Sequence, residues 1–200
     1  QMIPSDTLPT PTERLRLFET ARKLFQWDGY EEIGIDHFAR PDDGLAVAAR
    51  EGRLRRNFQG YTDDAALALV GLGASSISRF PQGYAQNAGG TAQYSAAVRS
   101  GQFSTSRGHI FGGEDRARAR IIEALMCDFS CDAAEISRDL ALPIAVVERW
   151  FDRAAEAFPD MVAVTGTRLT IPERARPLTR MIARVFDAYD LDKAGHSGAV

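Results

Sequence analysis

Two closely spaced cysteines, an aspartate–histidine pair, five arginines between positions 40 and 56 and a Phe-Gln pair are the residues of this chain with chemical potential. Cys127 and Cys131 stand in Leu125-Met126-Cys127-Asp128-Phe129-Ser130-Cys131. Three residues between two thiols is how a cluster-binding C-x3-C-x2-C motif begins, but the position that should hold the third cysteine is Ala134. Cys127 also continues the apolar stripe of Ile121, Ala124 and Leu125 at helical spacing. The pair therefore reads as a helix-buried thiol and a second thiol near the helix end, and no metal site is expected. Asp36 and His37 are adjacent, so on an unbroken strand they point to opposite faces and form no hydrogen-bonded dyad. His109 and His196 have no better claim to chemistry. Arg40, Arg50, Arg53, Arg55 and Arg56 could hold carboxylates through bidentate forks, or could line a solvated turn. Gly71-Leu72-Gly73-Ala74-Ser75-Ser76 lacks the last glycine of a dinucleotide fingerprint. Its glycines point instead to close backbone approach, to a cofactor or to a neighbouring strand.

Periodicity and punctuation indicate the helices and strands on which these groups are carried. Thr10-Pro11-Thr12-Glu13 has the form of a capping box. The helix after it carries Leu17, Ala21, Leu24 and Phe25 on one stripe and ends near Gly29. Residues 30–38 read as a strand, 41–52 as a short helix and 54–62 as a second strand. A turn at Asp63-Asp64 leads to a third strand at 67–77, and 84–87 make a fourth. On the second strand Phe58 and Gln59 face opposite ways, so one side chain at most lines a pocket directly. From about residue 91 the texture turns helical, at 92–100, 114–129, 133–140 and 143–158. A hairpin at 162–171 and a helix at 173–189 come last. Helix, helix, hairpin is the order of a winged-helix module. The expected division is 1–90 for the strand-rich part, 91–193 for the helical part and 194–200 for a disordered tail.

Two hundred residues with 44% hydrophobic content can bury a core, and no apolar run is long enough for a membrane span. Gln1 and the Pro/Thr-rich residues after Met2 suggest a piece of a longer chain, with no signal peptide visible. A net charge of −3 argues against general nucleic-acid binding.

Ile33-Gly34-Ile35-Asp36-His37-Phe38-Ala39-Arg40-Pro41-Asp42-Asp43 and Arg56-Asn57-Phe58-Gln59-Gly60-Tyr61-Thr62 resemble the carboxyl-terminal part of oxygen-independent coproporphyrinogen III oxidases. These are radical S-adenosylmethionine (SAM) enzymes of haem biosynthesis. The resemblance runs from about residue 9 to 189, is sharpest at 30–87, and departs from the family's Tyr-Thr-Thr at Tyr61-Thr62-Asp63. It implies an α/β fold: the distal part of a partial (β/α) barrel with a sheet extension, then a helical, winged-helix-like carboxyl-terminal domain over the site. It implies that Phe58, Gln59 and Ile77, the last in Ser75-Ser76-Ile77-Ser78, contact SAM. Arg56, Arg40 and His37 adjoin the motifs and are candidates for contacting the four-propionate substrate, coproporphyrinogen III. The implied reaction is SAM-dependent oxidative decarboxylation of two propionates to vinyls, with an electron donor of unknown identity as a further partner. The ligands of the [4Fe-4S] cluster would lie outside this chain, which alone would be inactive in a cytoplasmic enzyme. Two alternatives are a haem-chaperone relative, whose motifs usually differ from those here, and a winged-helix nucleic-acid binder. Against the second, the would-be recognition helix carries Glu148, Asp152 and Glu156 beside Arg149 and Arg153.

Overall fold

In a computed structural model, residues 7–189 are described; the expected tail at 194–200 lies outside them. Helix α1 (Pro11–Trp27) starts at the capping box: Thr10 and Glu13 exchange hydrogen bonds, including Thr10 N–H to Glu13 Oε2 at 2.8 Å. None of its residues is buried, and its stripe leaves Leu17 and Leu24 exposed. Phe25 stacks on Phe38 at 4.6 Å, which ties the helix end to the next stretch of chain.

Residues 30–38 do not make one strand. Strands β1 (Glu31–Ile33) and β2 (His37–Ala39) pair as an antiparallel hairpin across a turn containing Gly34, whose φ is +57°. Helix α2 (Gly44–Arg50) lies where expected, capped by Asp43, whose side chain accepts from Leu45 N–H. The expected second strand is likewise a hairpin, β3 (Arg55–Arg56) with β4 (Tyr61–Thr62), turned by residues 57–60. Asn57 causes the turn: its N–H donates to Gly60 O and its side chain accepts from Gln59 N–H. The expected third strand at 67–77 is irregular apart from a bridge between Leu69 and Arg79. Gly71 lies against Ile77, and a Cβ there would meet the Ile77 carbonyl carbon at 2.9 Å. Its close approach is thus to a neighbouring strand.

A three-stranded antiparallel sheet comes next: β5 (Ile77–Phe80), β6 (Gly83–Asn87) and β7 (Thr105–Ile110), with α3 (Thr91–Arg99) between β6 and β7. Then come α4 (Asp115–Asp128), β8 (Ser130–Asp132), α5 (Ala133–Leu140), α6 (Ile144–Ala157) and the hairpin β9 (Ala163–Thr165)–β10 (Arg168–Thr170). Strand β8 adds to this hairpin in the order β8-β10-β9. The expected last helix is broken: a 3-10 turn at Glu173–Leu178 holds Pro177, and α7 (Thr179–Arg184) comes after it.

Every strand pairing among the described residues is antiparallel, in sheets of two or three strands. The chain is a mixed α/β protein with two apolar clusters. The larger packs α4, α5, α6, β10 and α7 around Phe151, Leu169 and Phe186. The smaller joins the two hairpins and α2 around Ile33, Leu54 and Tyr61, with Cys127 contributed from α4. No helix among the described residues is long and apolar enough to cross a membrane.

Candidate functional site

A cavity of about 660 Å³ opens where the β3–β4 turn, the β5-β6-β7 sheet, α4 and the segment after α7 meet. The sheet supplies one wall through its register. Tyr84 of β6 lies opposite Arg79 of β5 and His109 of β7, and directly opposed residues share a face. The row Arg79, Tyr84, His109 lines the cavity. One row along, Ile77 pairs with Gln86 and Gln86 with Arg107, on that same face. Phe58 reaches over from the turn and meets Tyr84 edge-on at 5.2 Å, while Phe111 meets it from another side at 4.9 Å. Burial pushes the Tyr84 phenol above its ordinary pKa, so it is protonated at neutral pH.

On the far side, Asp115 gathers three donors on one oxygen. Gly112 N–H lies at 3.0 Å, the Tyr189 hydroxyl at 2.9 Å and His109 Nε2 at 3.2 Å. The Gly112 bond, ahead of those from Tyr189 and His109, holds the Asp115 carboxyl below the usual range. Ionised and acting only as an acceptor, Asp115 fixes the Nε2–H tautomer of His109. Beside α4, Glu123 accepts from Arg56 N–H at 3.4 Å and lies 3.9 Å from the Arg79 guanidinium.

The six residues singled out from sequence divide clearly. Phe58 and Arg56 line this cavity; Gln59, Ile77, Arg40 and His37 do not. Phe58 lies in a turn instead of on a strand, 52% exposed and available as an apolar surface. Gln59 is exposed in the same turn. Ile77, partly buried, flanks the cavity row on the shared face. Arg56 packs its guanidinium over the Tyr61 ring at 4.7 Å, and its Nη1 is buried without a hydrogen-bond partner. Arg40 is exposed beside Tyr30. His37 bonds Asp36 at 2.8 Å, because the strand breaks there and releases both side chains from opposite faces. Asp36 also accepts from Arg180, so the dyad ties β2 to α7. Sequence reading missed Arg79, His109, Asp115 and Tyr189. The alternation Thr105, Arg107, His109 was the available signal for β7, but its polar composition and Gly108 hid it.

The conspicuous first motif is largely structural. Tyr61 hydroxyl donates to Met126 O at 2.7 Å and accepts from Ile35 N–H at 3.0 Å, clasping the first hairpin to α4. A Cβ on Gly34 would overlap the Tyr61 ring at 2.2 Å.

SAM and an iron–sulfur cluster, implied by the resemblance, fare differently here. The exposed Phe58 ring and Ile77 on the shared sheet face suit an apolar adenine shelf. The cluster has no ligand set: no group of three His, Cys, Asp or Glu among the described residues is placed to hold a metal. Burial pushes both Cys127 and Cys131 up to about 12, so neither is a thiolate at neutral pH.

No family model matches the chain. Among individual proteins, it is 62% identical over 199 residues to an oxygen-independent coproporphyrinogen III oxidase of Paracoccus denitrificans. It is 54% identical over 189 residues to one of Cereibacter sphaeroides. This chain is related to the oxygen-independent coproporphyrinogen III oxidases. A solved structure of coproporphyrinogen III oxidase from Escherichia coli, described as a radical SAM enzyme, matches 94% of the chain with a TM-score of 0.84 at 35% identity. The chain spans less than half of these relatives: 44%, 42% and 44% of their lengths, respectively.

Proposed function

We propose that the chain is the carboxyl-terminal portion of a cytoplasmic oxygen-independent coproporphyrinogen III oxidase. The observation that carries this reading is the 62% identity over 199 residues, combined with a cavity walled by residues of the matching motif. In this reading, residues 1–90 end the barrel, extend its sheet and bear the SAM contacts Phe58, Gln59 and Ile77. Residues 91–193 form the covering domain, in which the helix–strand–helix–helix–hairpin order from α4 onward is that of a winged helix.

SAM, held against Phe58 and Ile77, would supply the hydrogen-abstracting chemistry for oxidative decarboxylation of two propionates. The chain's own residues bind, orient and shield. Phe58 and Ile77 offer apolar surface on one sheet face. Gln59 lies beside Phe58 in a turn whose backbone is fixed by Asn57. Arg56, whose Nη1 has no hydrogen-bond partner and lies 3.9 Å from Asp36, offers a charge-assisted bond to a propionate. Tyr84, Phe58 and Phe111 make a largely aromatic wall that keeps water from the reacting carbon.

Equilibrium binding of SAM to the intact protein tests the assignment. Ile77→Asp and Phe58→Ala should each weaken SAM about tenfold, the effect of losing roughly 1.4 kcal/mol of contact. Unchanged SAM affinity in both variants would remove these residues from the cofactor site.

A further inference from the structure

Resting on the substrate reading above, we infer that the transverse row Arg79, Tyr84, His109 is a two-ended carboxylate clamp for the tetrapyrrole. Tyr84 lies under the ring and one ligand carboxylate is held at each end.

The register makes the case. Adjacent strands lie about 4.8 Å apart, so the Arg79 and His109 backbones are separated by roughly 10 Å with Tyr84 midway. That separation is comparable to the width of a tetrapyrrole ring. The middle of the span is aromatic, with Phe58 and Phe111 edge-on to Tyr84, and suits the apolar faces of the pyrrole rings. Both ends are polar, an arginine fork at one and an imidazole at the other.

Neither end is closed by its present partners. Arg79 is 39% exposed and its nearest carboxylate, Glu123, stands at 3.9 Å, too far for a hydrogen bond. Its fork can take an incoming carboxylate bidentately. At the other end, His109 Nε2 is committed to Asp115, with Tyr189 bonded to both. That commitment leaves Nδ1 as the ring nitrogen for a ligand. A ligand carboxylate bound there through a shared proton completes an Asp115–His109–carboxylate hydrogen-bonded chain, with Asp115 fixing the orientation of the ring. Asp115 and Tyr189 are positioning residues; Arg79 and His109 touch the ligand.

The test uses coproporphyrin III, the stable oxidised form with four free propionates, and its tetramethyl ester. Both are titrated into the intact protein without SAM and followed by porphyrin fluorescence. Arg79→Gln and His109→Gln should each weaken the free acid about tenfold, the size of one charge-assisted bond, and leave the ester within about twofold. Arg79→Lys, which keeps a charge but not the fork, should recover part of the loss. A merely structural role would weaken acid and ester alike, and that result overturns the clamp. Free-acid binding that survives both substitutions but falls in Arg56→Gln also overturns it, while leaving the substrate reading intact. No porphyrin binding by the unsubstituted protein would overturn both.

Discussion

At the scale of single residues, the most recognisable motif turns out to be architecture as much as chemistry. Gly34 has a positive φ and no room for a Cβ, since the Tyr61 ring fills that space. Gly34→Ala should lower unfolding stability by at least about 2 kcal/mol, combining left-handed strain with a forced shift of a buried ring. Chemical denaturation measures it directly; a loss near zero would mean the Tyr61 clasp is dispensable. The cysteines make a second residue-level case. Their reading as buried structural thiols was legible from the helical stripe through Ile121 and Leu125, and Cys131 lies on β8 just past the end of α4. With both thiols pushed up to about 12, neither should react with a thiol-specific reagent at about pH 7.5 in the folded protein. Both should react within minutes once guanidinium unfolds it. Rapid labelling of the native protein would contradict that burial.

Elements were legible where periodicity is long and hidden where it is short. Helices α1 and α3 to α6 emerge from their apolar spacing, because eight or more residues repeat the signal. The first two hairpins did not, because their short strands run through turns that read as strand. The equally short β9–β10 hairpin was legible from Thr165-Gly166-Thr167. Gly34 and Asn57 to Gly60 were turn signals inside what read as continuous strands. Breaking those strands matters for the site: it frees Asp36 to bond His37 and moves Phe58 from a strand face to a turn beside the cavity. Pro177 similarly breaks the helix expected at 173–189 into a 3-10 turn and α7, which stops at Arg184. Asp115 is the prediction belonging to this scale, since it joins the loop before α4, strand β7 and Tyr189. Its carboxyl is held below its unfolded value of about 3.9. The stability it contributes is therefore fully present above that value and is lost as pH falls through the lower folded one. Thermal melting of Asp115→Asn against the unsubstituted protein should show a deficit at about pH 6 that narrows below about pH 4. A deficit independent of pH would mean that Asp115's charge is not what joins these elements.

Across the whole molecule, the sequence resemblance anticipated the relationship and the mixed α/β class, but not the cavity. That cavity depends on strand register and on α4 passing behind Tyr61, and neither leaves a local signature. The two apolar clusters meet at α4, which sends Cys127 into one and Leu125 into the other. The strand-rich and helical parts therefore share a wall at the site instead of being joined by a linker alone. On the reading proposed above, this wall belongs to a coproporphyrinogen III decarboxylating enzyme whose cluster ligands lie elsewhere in the protein. The decisive experiment reads the gene upstream of the Gln1 codon and assays the encoded protein anaerobically with coproporphyrinogen III, SAM and a reductant. The expected result is an in-frame C-x3-C-x2-C motif and SAM-dependent release of two CO2 per substrate, abolished when the motif's cysteines are replaced. A reading frame without that motif, or a reconstituted protein that releases no CO2, would contradict that reading.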